Sequence, residues 1–132
     1  MRPRVLLVED EPDIRLIARA ALARAGFEAI AVGSGGEALA AAAAGPVDLI
    51  LLDWMLPDLD GPETCARLKA DPATADIPVL FLTARHDAAD RARCLELGAL
   101  GSIAKPFDPL ALGAQVRALW RPAGPERHTG ER

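Results

Sequence analysis

Apolar residues along this chain follow two rhythms. Short unbroken runs, Val5-Leu6-Leu7-Val8, Leu49-Ile50-Leu51-Leu52 and Val79-Leu80-Phe81-Leu82, are the pattern of strands buried on both faces. Between them, apolar residues recur at helical spacing, as in Ile14, Ile17, Ala18, Ala21, Leu22 and Ala25. The alternation predicts βα units around a parallel sheet. Pro12 suits the first turn of the first helix, where its missing N–H would be unpaired anyway, and Gly26 suits the C-terminal cap. Phe27 to Val32 reads as a less apolar strand at an edge. Ser34 and Glu37 form a capping box for an Ala-rich helix that Gly45-Pro46 ends.

The third strand ends in Asp53, and the loop Trp54 to Gly61 leads to a helix that begins at Pro62 and stops near Asp71-Pro72. A fourth strand starts around Pro78, followed by a helix from Ala88 to Leu97 with Gly98 as its stop. A short fifth strand spans Ser102 to Ala104. Asp108 and Pro109 are predicted to cap the last helix, which carries Leu110, Leu112, Val116 and Leu119. From Arg121 onward Pro, Gly and charged residues lack apolar periodicity. The expectation is one α/β domain over residues 1–121, a three-layer (βα)5 sandwich, with a flexible tail over 122–132.

Composition narrows the options. A chain of 132 residues is one domain in size and buries roughly two-thirds of its unfolded surface. A net charge of −4, with basic residues scattered along the predicted helices, gives no basic face for direct nucleic-acid binding. Cys65 and Cys94 form no CxxC pair and are predicted to be reduced and packed, as in a cytoplasmic protein. The apolar stretch after Arg4 is broken at once by Glu9-Asp10, so no signal peptide is expected there, and no run approaches membrane-spanning length.

The candidate chemistry lies at the strand ends. Glu9-Asp10, Asp53, Thr83 and Lys105 each follow or close an apolar run, and a parallel sheet brings all such ends to one edge, where open α/β folds place ligands. Three carboxylates at close range repel one another. A hard divalent cation resolves that conflict, and oxygen-only ligands favour Mg²⁺. One acid, best Asp53 at the end of a central strand, is then a nucleophile toward phosphorus. Lys105 neutralises charge on the transferred oxygens and the Thr83 hydroxyl donates to another.

The residues that carry this chemistry resemble a known family. Val8-Glu9-Asp10-Glu11-Pro12, Leu52-Asp53-Trp54-Met55-Leu56-Pro57-Asp58-Leu59-Asp60-Gly61, Leu82-Thr83-Ala84 and Lys105-Pro106-Phe107 are, in this order, similar to the receiver domain of two-component response regulators from Arg4 to about Trp120. The resemblance implies a flavodoxin-like strand order 2-1-3-4-5 and a phosphorylation-switched signalling protein rather than an enzyme, one that assists only its own phosphotransfer and slow dephosphorylation. It implies Asp53 as the acceptor of a phosphoryl group from a histidine kinase or histidine phosphotransfer protein. Glu9, Asp10, Asp53 and the backbone carbonyl of Met55 would hold Mg²⁺. Thr83, Ala84 and Lys105 would meet the phosphoryl group, with the Lys105–Pro106 bond cis. The family often has an aromatic residue three positions before the lysine; here Ser102 stands there, in a chain without tyrosine. The coupling of that ring to the threonine cannot operate in its usual form.

Several alternatives accompany this reading. Asp10 and Glu11 suit a helix cap, and Asp58-Leu59-Asp60-Gly61 suits a turn better than a calcium loop, because Pro62 occupies a ligand position. Trp54 serves equally as a shield of the site mouth or as loop packing. Met55 and Arg85, two positions past Asp53 and Thr83, are expected to tune the lifetime of a phosphoryl-aspartate. His86 and His128 read as solvent-facing. The leading expectation is a stand-alone cytoplasmic receiver, a monomer or weak dimer, that switches binding to a target protein without touching membrane. Competing with it are the receiver part of a longer regulator and a phosphorylation-independent adaptor. A phosphohydrolase lacks its second carboxylate at Met55, and a flavin module is disfavoured by the acids after the first strand.

Overall fold

The computed structural model describes residues 2–85 and 87–121, so His86, His128 and the tail expected over 122–132 lie outside the described residues. Ten elements alternate: β1 (Arg4–Val8), α1 (Pro12–Arg24), β2 (Glu28–Val32), α2 (Gly35–Ala44), β3 (Leu49–Asp53), α3 (Gly61–Ala70), β4 (Val79–Thr83), α4 (Ala88–Glu96), β5 (Gly101–Ala104) and α5 (Leu112–Leu119). The five strands form one parallel sheet in the order β2-β1-β3-β4-β5. This is the doubly wound, flavodoxin-like arrangement, with β2 at an edge as its weaker apolar pattern predicts.

The unbroken apolar runs are explained by two cores. Val5, Leu7, Leu49, Leu51, Leu80, Leu82 and Ile103 pack with Ala18, Ala21, Leu22, Leu112 and Val116, so α1 and α5 cover one face. The intervening residues Leu6, Val8, Ile50, Leu52, Val79 and Phe81 pack with Ala38, Ala42, Cys65, Leu68 and Cys94, so α2, α3 and α4 cover the other. Both cysteines are buried and free, and burial pushes both thiols up. No helix among the described residues is long and apolar enough to cross a membrane.

One boundary differs from the sequence expectation. Asp108 and Pro109 do not cap α5, whose N-cap is Ala111 with no side-chain bond. The Asp108 carboxylate instead accepts the N–H of Leu110 at 2.9 Å, two residues on, and its carbonyl accepts those of Ala111 and Leu112. An Asx turn has taken the place of the cap. Likewise, Glu11 occupies the N-cap of α1 without a side-chain bond.

Candidate functional site

The parallel register sets the site. Val8 pairs with Leu52, Asp53 with Leu82 and Thr83 with Ala104, so Glu9, Asp53, Thr83 and Lys105 lie along one edge of the sheet. Glu9, Asp53 and Lys105 continue the row of positions that faces α1 and α5, whereas Thr83 continues the opposite row. That parity lets the lysine reach both acids. Its ammonium donates to Glu9 Oε1 at 2.8 Å and lies 3.3 Å from Asp53 Oδ2. Glu9 is fully buried and Asp53 nearly so, and with the exposed Asp10 they bring three carboxylate oxygens within 4.8 Å of one another.

Backbone geometry holds the acids in place. Glu9 Oε2 accepts the Glu11 N–H at 3.1 Å, and Asp53 Oδ1 accepts the Met55 N–H at 3.4 Å. The chain then returns onto itself: a Cβ at Gly61 would sit 2.6 Å from the Asp53 carbonyl oxygen and 2.8 Å from Trp54 Cα. Only glycine lets the loop close so near the end of β3. Burial, with the charge of Glu9 adding to it, raises the Asp53 carboxyl to about 6, against the opposing pull of Lys105. Burial works against charge on Lys105 too, but its hydrogen bond to Glu9 and the two carboxylates outweigh it and raise the ammonium's pKa.

An open cleft of about 440 Å³ lies over these groups, lined by Asp10, Asp53, Trp54, Met55, Thr83 and Lys105 among others. The Met55 side chain is exposed, as is Ala84 beyond Thr83. Trp54 both lines the cleft and packs on Phe81, with ring centroids 4.9 Å apart, so the shield and packing roles are not exclusive. Thr83 Oγ1 accepts the Arg85 N–H at 2.9 Å, and Arg85 makes a long ion pair to Asp90 at 3.6 Å. Ser102 hydrogen-bonds the Cys94 thiol, a link between β5 and α4. The Lys105–Pro106 peptide is cis, as is Gly45–Pro46.

Arg15 has no place in the sequence reading, and Asp58 enters it only as part of a turn. Arg15 on α1 donates to the Glu9 carbonyl at 3.0 Å and to that of Asp10 at 3.5 Å, bracing the acidic turn from behind. Asp58 reaches across to α2 and accepts the Gly35 and Gly36 N–H groups, both at 2.9 Å. The bonds to Gly36, Leu59 and Gly35 hold its carboxyl down at about 2. Neither residue stands at a strand end, so no apolar run points to it.

A doubly wound sheet that gathers acids, a hydroxyl and a lysine at the carboxyl ends of its strands defines a class of α/β modules with a charged ligand site at that edge. Within that class, residues 5–117 match the response regulator receiver domain, and the chain belongs to that family of signalling switches. It is 42% identical over 121 residues to the phosphate regulon transcriptional regulatory protein PhoB of Pseudomonas aeruginosa, covering 92% of this chain and 53% of that protein. The chain thus spans about half the length of the curated relatives it matches. Among solved structures, the chemotaxis response regulator CheY4 of Vibrio cholerae superposes with a TM-score of 0.85 at 28% identity, over 91% of this chain and all of that one. The receiver domain of a Pseudomonas aeruginosa sensor histidine kinase, solved with a magnesium ion in its active-site cleft, gives 0.79 at 31% identity over 90% of this chain and 98% of that one.

Proposed function

We propose that Asp53 is the phosphoacceptor of a two-component relay and that its phosphorylation switches binding to a target protein. The observation that carries this is a nearly buried carboxylate at the end of the central strand, 3.3 Å from an ammonium and clustered with two further acids. With the Asp53 pKa at about 6, the group is mostly ionised at neutral pH and ready as a nucleophile. Its oxygen forms a P–O bond as the P–N bond of a phosphohistidine breaks, and the departing imidazole nitrogen takes a proton from solvent. Lys105 meets charge on the transferred oxygens and the Thr83 hydroxyl donates to one of them.

The donor set fits Mg²⁺: oxygen atoms only, three carboxylates, and one ammonium that leaves two negative charges in excess. Glu9, Asp10, Asp53 and the Met55 carbonyl would hold the ion. When bound it would draw charge from the phosphoryl oxygens during transfer. The magnesium in the cleft of the sensor-kinase receiver supports this assignment. The upstream partner is a histidine kinase or phosphotransfer protein, the protein acts in the cytoplasm, and its turnover is limited to its own acylphosphate.

Intact mass after incubation with a small phosphodonor and Mg²⁺ tests the reading. Wild type gains one labile phosphoryl group and Asp53→Ala gains none; a gain in both would remove Asp53 from the role. A second reading rests on relative length. PhoB and its kin are named as transcriptional regulators and run to about twice this span, which supports a receiver that works beside an effector domain. The coding sequence downstream of Arg132 distinguishes that arrangement from a stand-alone switch.

A further inference from the structure

Helix α2 adds no side chain to the acidic cluster, yet the loop from Trp54 to Asp60 is built onto it. The first four N–H groups of any helix lack partners within the helix. In α2 the Glu37 N–H goes to Ser34 Oγ at 3.2 Å, and the Ala38 N–H makes the first regular helical bond, to the Ser34 carbonyl at 3.0 Å. Those of Gly35 and Gly36 go to the two carboxylate oxygens of Asp58, more than twenty residues away. The fit is close: a Cβ on Gly35 would stand 2.8 Å from Leu59 Cβ and 3.0 Å from the Leu59 carbonyl oxygen. Residues 58 and 59 therefore rest on the first turn of α2.

Met55, Leu56 and Pro57 bridge from Asp53 to this anchor, with Met55 and Pro57 exposed and only Leu56 half-buried against the core. At the near end the span is fixed by the Met55 N–H on Asp53 Oδ1, a bond of 3.4 Å. At the far end it is fixed by Asp58, with Thr64 Oγ1 donating to the Leu59 carbonyl at 3.3 Å just beyond. A carbonyl between two tethers can be aimed; a carbonyl on a loop with one free end must be ordered by the ion itself, at a cost in affinity.

We infer that Asp58 is a positioning residue for the cation site: by clamping the loop to the N-terminus of α2 it pre-aims the Met55 carbonyl and so sets the affinity for Mg²⁺. The inference rests on the metal assignment proposed above. Asp58 belongs neither to the acidic cluster nor to the cleft lining, and α2 has a cap besides it: Ser34 Oγ accepts the Glu37 N–H, and Glu37 Oε1 accepts the N–H of Gly33, one residue before the N-cap, at 2.8 Å.

The test is a Mg²⁺ titration followed by backbone amide shifts near Asp10 and Met55, on wild type, Asp58→Asn and Asp58→Ala. Each variant is checked for an intact fold by its amide spectrum. Asp58→Ala is expected to raise the Mg²⁺ dissociation constant about tenfold, the scale typical of lost outer-shell support. Asp58→Asn, which keeps one acceptor oxygen, should fall between it and wild type. Phosphoryl uptake by Asp58→Ala at saturating Mg²⁺ should stay within about threefold of wild type. In the metal-free protein, amide exchange over residues 54–60 should quicken in Asp58→Ala. Wild-type affinity in Asp58→Ala would overturn the inference. Equal losses in the two variants would overturn it too, because charge rather than clamping would then be the cause. A wild type that shows no response to Mg²⁺ would instead overturn the metal assignment, and this inference with it.

Discussion

The two flanks of the cleft are built differently. On the acid side, the loops after β1 and β3 rest on the end of β2 and the start of α2: Glu9 donates its N–H to the Val32 carbonyl at 3.0 Å, and Asp58 takes two N–H groups of α2. Behind them α3 buries Gly61, Thr64, Cys65 and Leu68. On the threonine side, α4 is one residue shorter and buries only Cys94, and Arg85 meets Asp90 through a long, exposed ion pair. The carboxylates that repel one another sit on the more heavily buried flank, while the flank beside Thr83 is held by fewer buried side chains. Buried side chains are concentrated on the flank where charge must be held, so local opening is expected to cost less on the α4 side.

Core truncation should break this comparison most sharply if it is wrong. Leu68→Ala on α3 is expected to cost about 3 kcal/mol, the usual range for a fully buried leucine. Leu95→Ala on α4, a mostly exposed side chain, should stay within about 0.5 kcal/mol. Urea titration of both variants measures the difference, and similar losses would mean that α4 is as firmly docked as α3.

The next effect in size is electrostatic. A carboxyl raised from 3.8 to about 6 by folding binds its proton more tightly in the native state, so stability declines as pH rises between those values. Asp53→Asn removes that penalty. In the absence of Mg²⁺ it should stabilise the protein by on the order of 1–2 kcal/mol above pH 6, after allowance for solvent screening. The gain should shrink as pH falls through 6 and vanish near 4. An Asp53→Asn curve parallel to wild type across that window would show that neither burial nor the charge of Glu9 penalises the ionised carboxylate.

Helix caps give a finer probe. Asp60 caps α3 through the Glu63 N–H and Asp87 caps α4 through the Asp90 N–H, both at 2.8 Å. Asp60→Ala should lower global stability by about 1 kcal/mol. Asp87→Ala should lower it less and show itself as faster amide exchange confined to α4. The smallest effect is expected from Arg85→Ala, close to zero in stability because its ion pair is long and exposed. If the residue tunes phosphoryl lifetime, the dephosphorylation rate is where the variant departs from wild type.

The contrast between the flanks also marks what the sequence makes legible. Strands buried on both faces announce themselves as unbroken apolar runs, and the residues that close them, Asp53 and Thr83, follow directly. Glu9 and Lys105 come one step later, and the parallel order then places all four on one edge. The missed roles share a physical trait. Arg15 and Asp58 act through backbone groups of other elements, Gly35 and Gly36 in the case of Asp58, and a backbone partner leaves no trace in residue type. The α5 start failed for a different reason: Asp108 can satisfy an N–H two residues on as well as one three residues on, and the composition of the turn does not choose between them. The Ser102–Cys94 contact is not legible either, because Cys94 reads as packing and Ser102 as the place of an absent aromatic residue.

The salt bridge between Lys105 and Glu9 has a consequence for the order of events in folding. The two residues lie 96 positions apart, and β3 and β4 separate their strands in the sheet. Contacts of such long sequence separation close late, because most of the chain must first be ordered between them. A chain made from its amino end contains Glu9, Asp10 and Asp53 before it contains Lys105, their ammonium counter-charge. Only when β5 docks on β4 does the lysine arrive, so the cleft acquires its working balance of charge at the moment the last strand completes the sheet.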